Sequence, residues 1–399
     1  MSGRSGVELH TSRGPTRLRE IEPEWWRLLS CCAQNEPTLT PDWVLAWWDV
    51  WGGGDGGREL QVAELRDGGR LVGLAPLVSR RGRRRWLLPL RRIELVCSGE
   101  PEADETLSEY LGVLAERGRE PEVARTLVSA IAAGRLGEVH ELGIPRMSSE
   151  DPMAAALAAA LRDAGWRTSL VPCMEAPYAE LPASWEEYLA SLPSRHRYTV
   201  RRSERELAAW AGGPPLLQVA RDARGLDQGR RVLEALHAER WRAARKRGAF
   251  TSTAFRAFHA RVMPALLERG ALELLWLEVR GEPLAALYNL VWNGKVYNYQ
   301  SGRRMDLPES VRPGLAAHAL AIRRAIELGR REYDFLGSAH RYKRAFSTRV
   351  RQLVSLEAAR PGPWDAAWRL VGRLFGASAD GAQPRAVGSG VAENQRSSS

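Results

Sequence analysis

The same order of helix and strand patterns occurs twice along this chain, and this repetition constrains the fold more than any other feature. In each half, helical segments precede an antiparallel meander, a helix and a further strand. The second meander is ALELLWLEVRGEPLAALYNLVWNGKVYNYQSG, residues 271–302, with turns at Arg280-Gly281-Glu282 and Asn293-Gly294. The helix PGLAAHALAIRRAIELG and the strand EYDFLG follow it. The pattern predicts two fused α/β units.

The first half has its own start and turn signals. Thr40 and Pro41 are suited to begin a helix that carries Trp43 and Trp47 on one face, and Asp67-Gly68-Gly69 is typical of a hairpin turn. Because 399 residues exceed one ordinary core, two domains are the natural expectation. We place the boundary near residues 172–180.

The expected domain limits follow from these patterns. A flexible N-terminus covers residues 1–19, a first unit 20–175 and a second unit 176–362. Residues 363–375, WDAAWRLVGRLFG, form an amphipathic helix that either packs on the body or lies on a membrane surface. The polar, Gly/Ser-rich segment 376–399 is expected to be disordered.

Composition excludes several classes of protein. No run of 18 apolar residues occurs, and the first residues lack the apolar core of a signal peptide, so we expect a cytoplasmic protein. The four cysteines lack metal-ligand spacing, and no metal is expected. There is no phosphate loop of the Walker type, no G-x-S-x-G elbow and no G-x-G-x-x-G after a strand. The net charge of +10 favours an anionic partner.

The segment between the meander and its following helix is the best candidate for binding a phosphate. A helix that begins at Pro313-Gly314 offers free amides and the positive end of its dipole, and glycine lets a ligand approach the backbone. Arg303, Arg304 and Arg312 add cations. A donor with a pyrophosphate, such as coenzyme A, would bind at Arg304, Arg312 and Gly314; the alternative is an ordinary helix start with solvated arginines.

The next strand and loop carry the candidate catalytic groups. Asp334 lies in an apolar strand, where it is either a base or a structural carboxylate that bonds backbone amides. The loop after it carries His340, Tyr342 and Lys343. Acyl transfer to an amine needs a proton acceptor and a donor that polarises the thioester carbonyl, so we assign catalysis to Asp334, Tyr342 and Lys343.

A basic helix supplies candidate substrate ligands. PSRHRYTVRRSER, residues 193–205, places Arg197 and Arg201 on one face, which either grips an anionic acceptor or is simply solvated. Gln300, near the end of the YNYQSG strand, is assigned to the substrate as well.

Together these segments resemble a known family. NEPTLTPDWVLAWW, SEYLGVLA, SRHRYTVRRSERELA, YNYQSG, PGLAAHALAIRRAIELG and YDFLGSAHRYKRAF occur in the order typical of the CelD-type branch of the GNAT superfamily, over roughly residues 20–360. That branch is associated with cellulose and exopolysaccharide biosynthesis and is similar to the FemAB aminoacyltransferases. The resemblance implies an α/β (α+β) fold of tandem GNAT-like domains, each with a mixed, largely antiparallel sheet flanked by helices.

The resemblance also implies particular site residues and one departure. It places Gly314 at the start of the donor-side helix and Tyr342-Lys343 in the loop after the D-F-L-G strand. Relatives commonly carry an acidic residue in the turn that follows, whereas this chain has Gly337-Ser338-Ala339. The first half lacks a helix start like Pro313-Gly314, which suggests a degenerate scaffold.

These observations predict an N-acyltransferase that uses acetyl-CoA or another acyl-CoA and acts on a small-molecule amine, such as an amino sugar or nucleotide sugar. One alternative is a FemAB-like transfer from aminoacyl-tRNA, the one case in which a nucleic acid partner is expected. Another is a non-catalytic accessory protein that works with membrane-associated polysaccharide synthesis machinery.

Overall fold

The computed structural model of the protein describes residues 6–53, 57–84, 88–338 and 340–362. The expected amphipathic helix at 363–375 and the expected disordered tail lie outside the described residues. Within those ranges, no helix is long and apolar enough to span a bilayer. The same ranges hold no group of three or more His, Cys, Asp or Glu side chains placed to bind a metal ion.

Eleven helices and thirteen strands are formed by the described residues. The helices are α1 Thr16–Glu20, α2 Glu22–Cys31, α3 Pro41–Trp51, α4 Glu120–Ala132, α5 Pro152–Asp163, α6 Trp185–Ser191, α7 Ser194–Ala211, α8 Ala223–Ala243, α9 Thr253–Glu268, α10 Pro313–Glu327 and α11 Arg341–Phe346. The strands are β1 Glu8–Arg13, β2 Arg58–Asp67, β3 Arg70–Arg84, β4 Leu88–Leu95, β5 Leu114–Ala115, β6 Glu141–Ser148, β7 Arg167–Glu180, β8 Leu216–Val219, β9 Leu272–Val279, β10 Glu282–Trp292, β11 Lys295–Arg303, β12 Glu332–Asp334 and β13 Arg349–Ala359.

All strands belong to one mixed sheet. Its order is β1-β2-β3-β4-β6-β13-β7-β12-β11-β10-β9-β8, with β5 paired to β3. Parallel pairing occurs between β4 and β6 and between β11 and β12, and the other pairs are antiparallel. Each half therefore has the predicted plan of an antiparallel meander, a helix and a further strand, and the structure shows that this last strand pairs in parallel with the meander.

The tight turns of the meanders have the backbone geometry that their sequences predict. Asn293 and Gly294 have φ values of 47° and 72°, and Arg280 and Gly281 have 53° and 81°. Two-residue hairpins require positive φ at both positions because this twist matches that of the flanking strands. These turns fix the register of β9, β10 and β11.

The two halves exchange their last strands. β13, from the second half, lies between β6 and β7 of the first half, and β7 lies between β13 and β12 of the second. The pairing of β13 with β7 runs from Arg349 opposite Tyr178 to Ala359 opposite Arg167. The boundary expected at residues 172–180 therefore falls within β7, and the sheet is continuous across it.

The core is built on both faces of this sheet. Leu274 and Tyr288 point toward α8 and α9, whereas their neighbours Leu275 and Leu287 point toward α7 and α10. In the first half, the Thr40 hydroxyl caps α3 by accepting a hydrogen bond from the Trp43 amide. The indole of Trp43 is fully buried, as the helical spacing predicts.

Two expectations about element limits were wrong. The N-terminal residues were expected to be flexible to residue 19, but β1 pairs with β2 along its whole length, and its short alternating pattern gave little signal. The strand EYDFLG was expected to run to residue 337 but ends at Asp334. Leu336 then has a φ of 57°, which no β-strand accommodates.

Candidate active site

A pocket of about 600 Å³ opens where β11 and β12 diverge. The two strands pair only from Lys295–Tyr297 to Glu332–Asp334, after which β11 continues and β12 ends. Helices from both faces of the sheet reach the opening. The lining residues are Arg240, Leu287, Ser301, Gly302, Arg303, Arg304, Met305, Leu307, Pro308, Glu309, Val311, Arg312, Gly314, Leu315, His318 and Tyr342.

The start of α10 borders this pocket. Pro313 occupies the first helical turn, and no side chain caps the helix. The space beside Gly314 is narrow, because a Cβ atom there would lie 3.2 Å from Cδ of Arg303. The helix start therefore presents its backbone amides and the positive end of its dipole to the pocket.

The arginines of the pocket differ in how far their charge is neutralised. Arg304 donates to Asp306 at 2.9 Å and to Glu282 at 3.2 Å. Arg240 donates to the Ser301 hydroxyl at 3.3 Å. Arg240, Arg303 and Arg312 form no ion pair with any residue that the structure describes. Burial and the neighbouring Arg240 lower the pKa of Arg303. The pocket thus carries positive charge that the protein does not neutralise.

Three rings stack beside the pocket, and two of them, Tyr342 and His318, line it. The ring of Tyr342 lies 5.2 Å from that of His318 at an angle of 26°, and 6.1 Å from that of His340 at 19°. Burial, with Lys343 and Arg240 nearby, lowers the pKa of His318 to about 3. Burial and the same cations also lower the pKa of His340, and burial raises the pKa of Tyr342. All three rings are therefore uncharged near neutral pH.

Asp334 lies outside the pocket. Its side chain is fully buried, and its two oxygens accept hydrogen bonds from the Tyr110 hydroxyl at 2.5 Å, from Arg351 at 3.1 Å and from the Leu336 amide at 2.7 Å. Burial raises its pKa to about 6, while the Tyr110 and Arg351 contacts act in the opposite direction. These contacts are those of a structural carboxylate that joins the two halves. The sequence had left this role open for Asp334 as the alternative to a catalytic base.

Lys343 also lies outside the pocket. Its ammonium group is buried and donates to the Leu336 carbonyl at 3.2 Å, the Gly337 carbonyl at 2.5 Å and the Ser338 hydroxyl at 3.0 Å. An ammonium group has three hydrogens, so all of them are used within the turn. This arrangement leaves no donor for a phosphate or an oxyanion.

The three candidate substrate ligands are not brought together at the pocket. Arg197 donates to the Leu192 carbonyl at 3.2 Å, and Arg201 pairs with Glu186 at 3.1 Å, both on the surface formed by α6 and α7. Gln300 directly precedes the pocket residue Ser301 but is not among the residues that line the pocket. Of the nine assigned site residues, the pocket is lined by Arg304, Arg312, Gly314 and Tyr342.

The sequence assignment missed Arg240, Ser301 and His318. Arg240 lies in RWRAARKRG, a basic stretch with no pattern that separates it from a solvated helix end. His318 lies on α10 four residues after Gly314 and therefore on the same helix face. This spacing could have predicted that His318 lines the pocket.

Comparisons with known proteins agree with this geometry. Residues 194–344 match the family described as acetyltransferase (GNAT) domain. A comparison with curated proteins found no match. The structure of FemX superposes with a TM-score of 0.59 at 11% identity, covering 88% of this chain and 98% of FemX. A conserved protein of unknown function from Bacteroides thetaiotaomicron superposes with a TM-score of 0.53 at 11% identity, covering 85% of this chain and 97% of that protein.

These two structures share the fold, and the family match covers the half that holds the pocket. The matched segment begins at α7 and ends within α11, so it includes the diverging strands, the start of α10 and the stacked rings. Residues 194–344 are therefore a GNAT acetyltransferase domain, and they lie within a larger sheet that shares the fold of FemX.

Proposed function

We propose that this protein transfers an acyl group from acyl-CoA to the nitrogen of a small amine, and that the donor binds in the pocket between β11 and α10. The observation that carries the proposal is the uncapped start of α10 next to arginines without ion-pair partners. A helix start and unpaired arginines are the groups that bind a pyrophosphate. Arg303, Arg312 and the Gly314 amide would hold it.

The apolar part of the pocket suits the rest of the donor. Leu287, Leu307, Val311 and Leu315 line the face toward α10. These side chains would contact the pantetheine arm and the acyl group, and the gap between the diverging strands would expose the thioester to the α8 side of the sheet.

Tyr342 is the candidate general acid. Its ring lines the pocket together with Ser301, and burial raises its pKa, which keeps the phenol protonated. The amine nitrogen would attack the thioester carbonyl carbon, and the carbon–sulfur bond would break. The thiolate would take the phenol proton, while the proton lost by the amine would pass to water or to the neutral ring of His340.

The acceptor is proposed to carry an anionic group. Arg242, Arg245, Lys246 and Arg247 lie exposed at the end of α8, and none forms an ion pair among the residues described. Both Lys246 and Arg240 contribute to the lowered pKa of His340, so these cations surround the α8 side of the stacked rings. A nucleotide sugar or a phosphorylated amino sugar would supply both the amine and the anion.

A second candidate is FemAB-like aminoacyl transfer from aminoacyl-tRNA. The fold shared with FemX and the exposed cations of α8 favour it. It requires salt-sensitive tRNA binding in the absence of CoA binding. An accessory role beside membrane-bound polysaccharide synthases, without turnover, is the third candidate, and co-purification with such synthases would support it.

Calorimetric titration with free CoA, acetyl-CoA and longer acyl-CoAs tests the donor proposal, with thermal unfolding measured in parallel. A bound donor raises the unfolding temperature because it binds only the folded state. Gly314→Glu should abolish both signals by placing a carboxylate at the helix start. Gly213→Glu is the matched control, because nothing lies within 4 Å of a Cβ atom there. Absence of binding to the unmodified protein would refute the acyl-CoA proposal.

A further inference from the structure

A carboxylate from the first half contacts the turn that precedes α11 in the second half. Glu109 lies in the segment between β4 and β5, and its two oxygens accept hydrogen bonds from the Gly337 amide at 2.8 Å and 2.7 Å. The side chain is buried, with 5% of its surface exposed. The first half therefore supplies a direct hydrogen-bond contact to this turn.

Lys343 holds the other side of the same turn. Its three hydrogen bonds go to Leu336, Gly337 and Ser338. The Gly337 amide thus donates to Glu109, and the Gly337 carbonyl accepts from Lys343. Burial raises the pKa of Glu109 to about 7, and the charge of Lys343 acts against that rise. Two buried groups of opposite charge, one from each half, thus bracket the turn.

The turn has a backbone that needs such support. Leu336 and Ser338 have φ values of 57° and 87°, in the left-handed region that side chains other than glycine rarely adopt. Each such residue costs about 1–3 kcal/mol and persists only where its surroundings fix it. A Cβ atom at position 337 would lie 1.5 Å from Sδ of Met174 and 2.9 Å from Oε1 of Glu109, so the turn has no room for a side chain there.

The turn determines where the pocket's phenol lies. α11 begins at Arg341, and Tyr342 is its second residue, stacked against His318. A shift of the turn would move the phenol relative to the thioester. Misplacement of a reacting group by about 1 Å can reduce a rate about 100-fold.

We propose that Glu109 is a positioning residue of the acyltransferase site, supplied by the first half to hold the turn before α11. The first half is then part of the active site as well as a scaffold. This inference rests on the proposed function, because it assigns the phenol of Tyr342 to the reaction. Glu109 acts through Gly337 and Tyr342 and does not itself contact the donor.

Three variants of the full chain test the inference. Glu109→Ala removes both acceptors, and Glu109→Gln keeps one oxygen for the Gly337 amide. Glu64→Gln is the control, because Glu64 is another buried carboxylate of the first half that pairs with Arg17 at 2.6 Å and Arg66 at 2.7 Å, away from the pocket. Each variant is studied by hydrogen exchange of the 335–346 segment, by acetyl-CoA titration and by single-turnover release of CoA from bound acetyl-CoA with glucosamine as the amine that accepts the acetyl group.

We expect Glu109→Ala to speed exchange in this segment and to slow CoA release about 10- to 100-fold while the Kd for acetyl-CoA changes by less than about threefold. Glu109→Gln should be intermediate, and Glu64→Gln should match the unmodified protein in all three measurements. Unchanged exchange and release in Glu109→Ala would overturn the inference. If the unmodified protein binds no acetyl-CoA, the proposed function fails. Faster hydrogen exchange in Glu109→Ala would then show that Glu109 only stabilises the turn. That result would also overturn the inference.

Discussion

The hydroxyl of Tyr110, in the first half, donates a hydrogen bond of 2.5 Å to the carboxylate of Asp334, in the second half. Arg351 of β13 donates to the same carboxylate and to both oxygens of Glu332. Asp334 therefore connects β12 to β13 and to the loop that carries Tyr110, at the point where the halves exchange strands.

Asp334→Asn should destabilise the fold but preserve the donor site. All three partners of Asp334 are donors, so the new amide group faces donors and hydrogen bonds are lost. We expect the free energy of unfolding to fall by about 1–3 kcal/mol, measured by urea titration. Acyl-CoA should bind with unchanged affinity at temperatures where the variant is folded. Full stability with lost turnover would instead favour the role of a catalytic base.

Arg303→Ala should weaken acyl-CoA binding more than Arg304→Ala. Arg303 has no ion-pair partner among the described residues, whereas Arg304 is held by Asp306 and Glu282. Loss of a charge-assisted contact of about 1.5–3 kcal/mol raises the Kd about 10- to 100-fold. For Arg304→Ala we expect the Kd for acyl-CoA to rise less than about fivefold. If calorimetry gives the same rise in Kd for Arg303→Ala and Arg304→Ala, this account of the pocket charge is wrong.

Tyr342→Phe should lower kcat and leave donor affinity unchanged. The ring keeps its stacking against His318, and only the hydroxyl that protonates the leaving thiolate is lost. General acid catalysis is worth about 100-fold or more. Release of CoA in the presence of an amine acceptor measures the effect. An unaltered kcat would remove Tyr342 from the mechanism.

His259→Phe should make stability less sensitive to acid. Burial lowers the pKa of His259 to about 3 from the ordinary 6.5. Between those values the unfolded chain holds one more proton than the folded chain, so this residue makes the unfolding free energy fall by about 1.4 kcal/mol per pH unit of acidification. The variant should lose less stability than the unmodified protein from pH 6.5 downward. Urea titrations at several pH values measure the unfolding free energy of both proteins. If the two free energies fall in parallel as the pH is lowered, the prediction is wrong.

The sequence allowed the elements and the α10 side of the pocket to be predicted because both depend on local signals. Turn residues such as Asn293-Gly294 and the Pro313-Gly314 helix start act through their own backbone geometry. The exchange of β7 and β13 has no such signal, because a strand's pattern records that one face is buried but not which neighbour it pairs with.

The catalytic assignments of Asp334 and Lys343 depended on distant partners that the sequence does not reveal. Whether Asp334 faces a pocket or a hydrogen-bond network is decided by Tyr110 and Arg351, which lie far from it in sequence. Glu109 escaped notice for the same reason. Tyr342, in contrast, lies next to Lys343 and nevertheless reaches the pocket, because α11 turns the two side chains in different directions.

The position of β13 has a consequence for synthesis of the protein. The place between β6 and β7 stays open until β13, residues 349–359, has been made. β13 begins 169 residues after the end of β7. At about 5–20 residues per second, a ribosome needs roughly 10–30 s to supply the missing strand. During that interval the nascent chain exposes two unpaired strand edges, a template for wrong pairing with another chain. Release of a truncated product lacking β13 would make that exposure permanent.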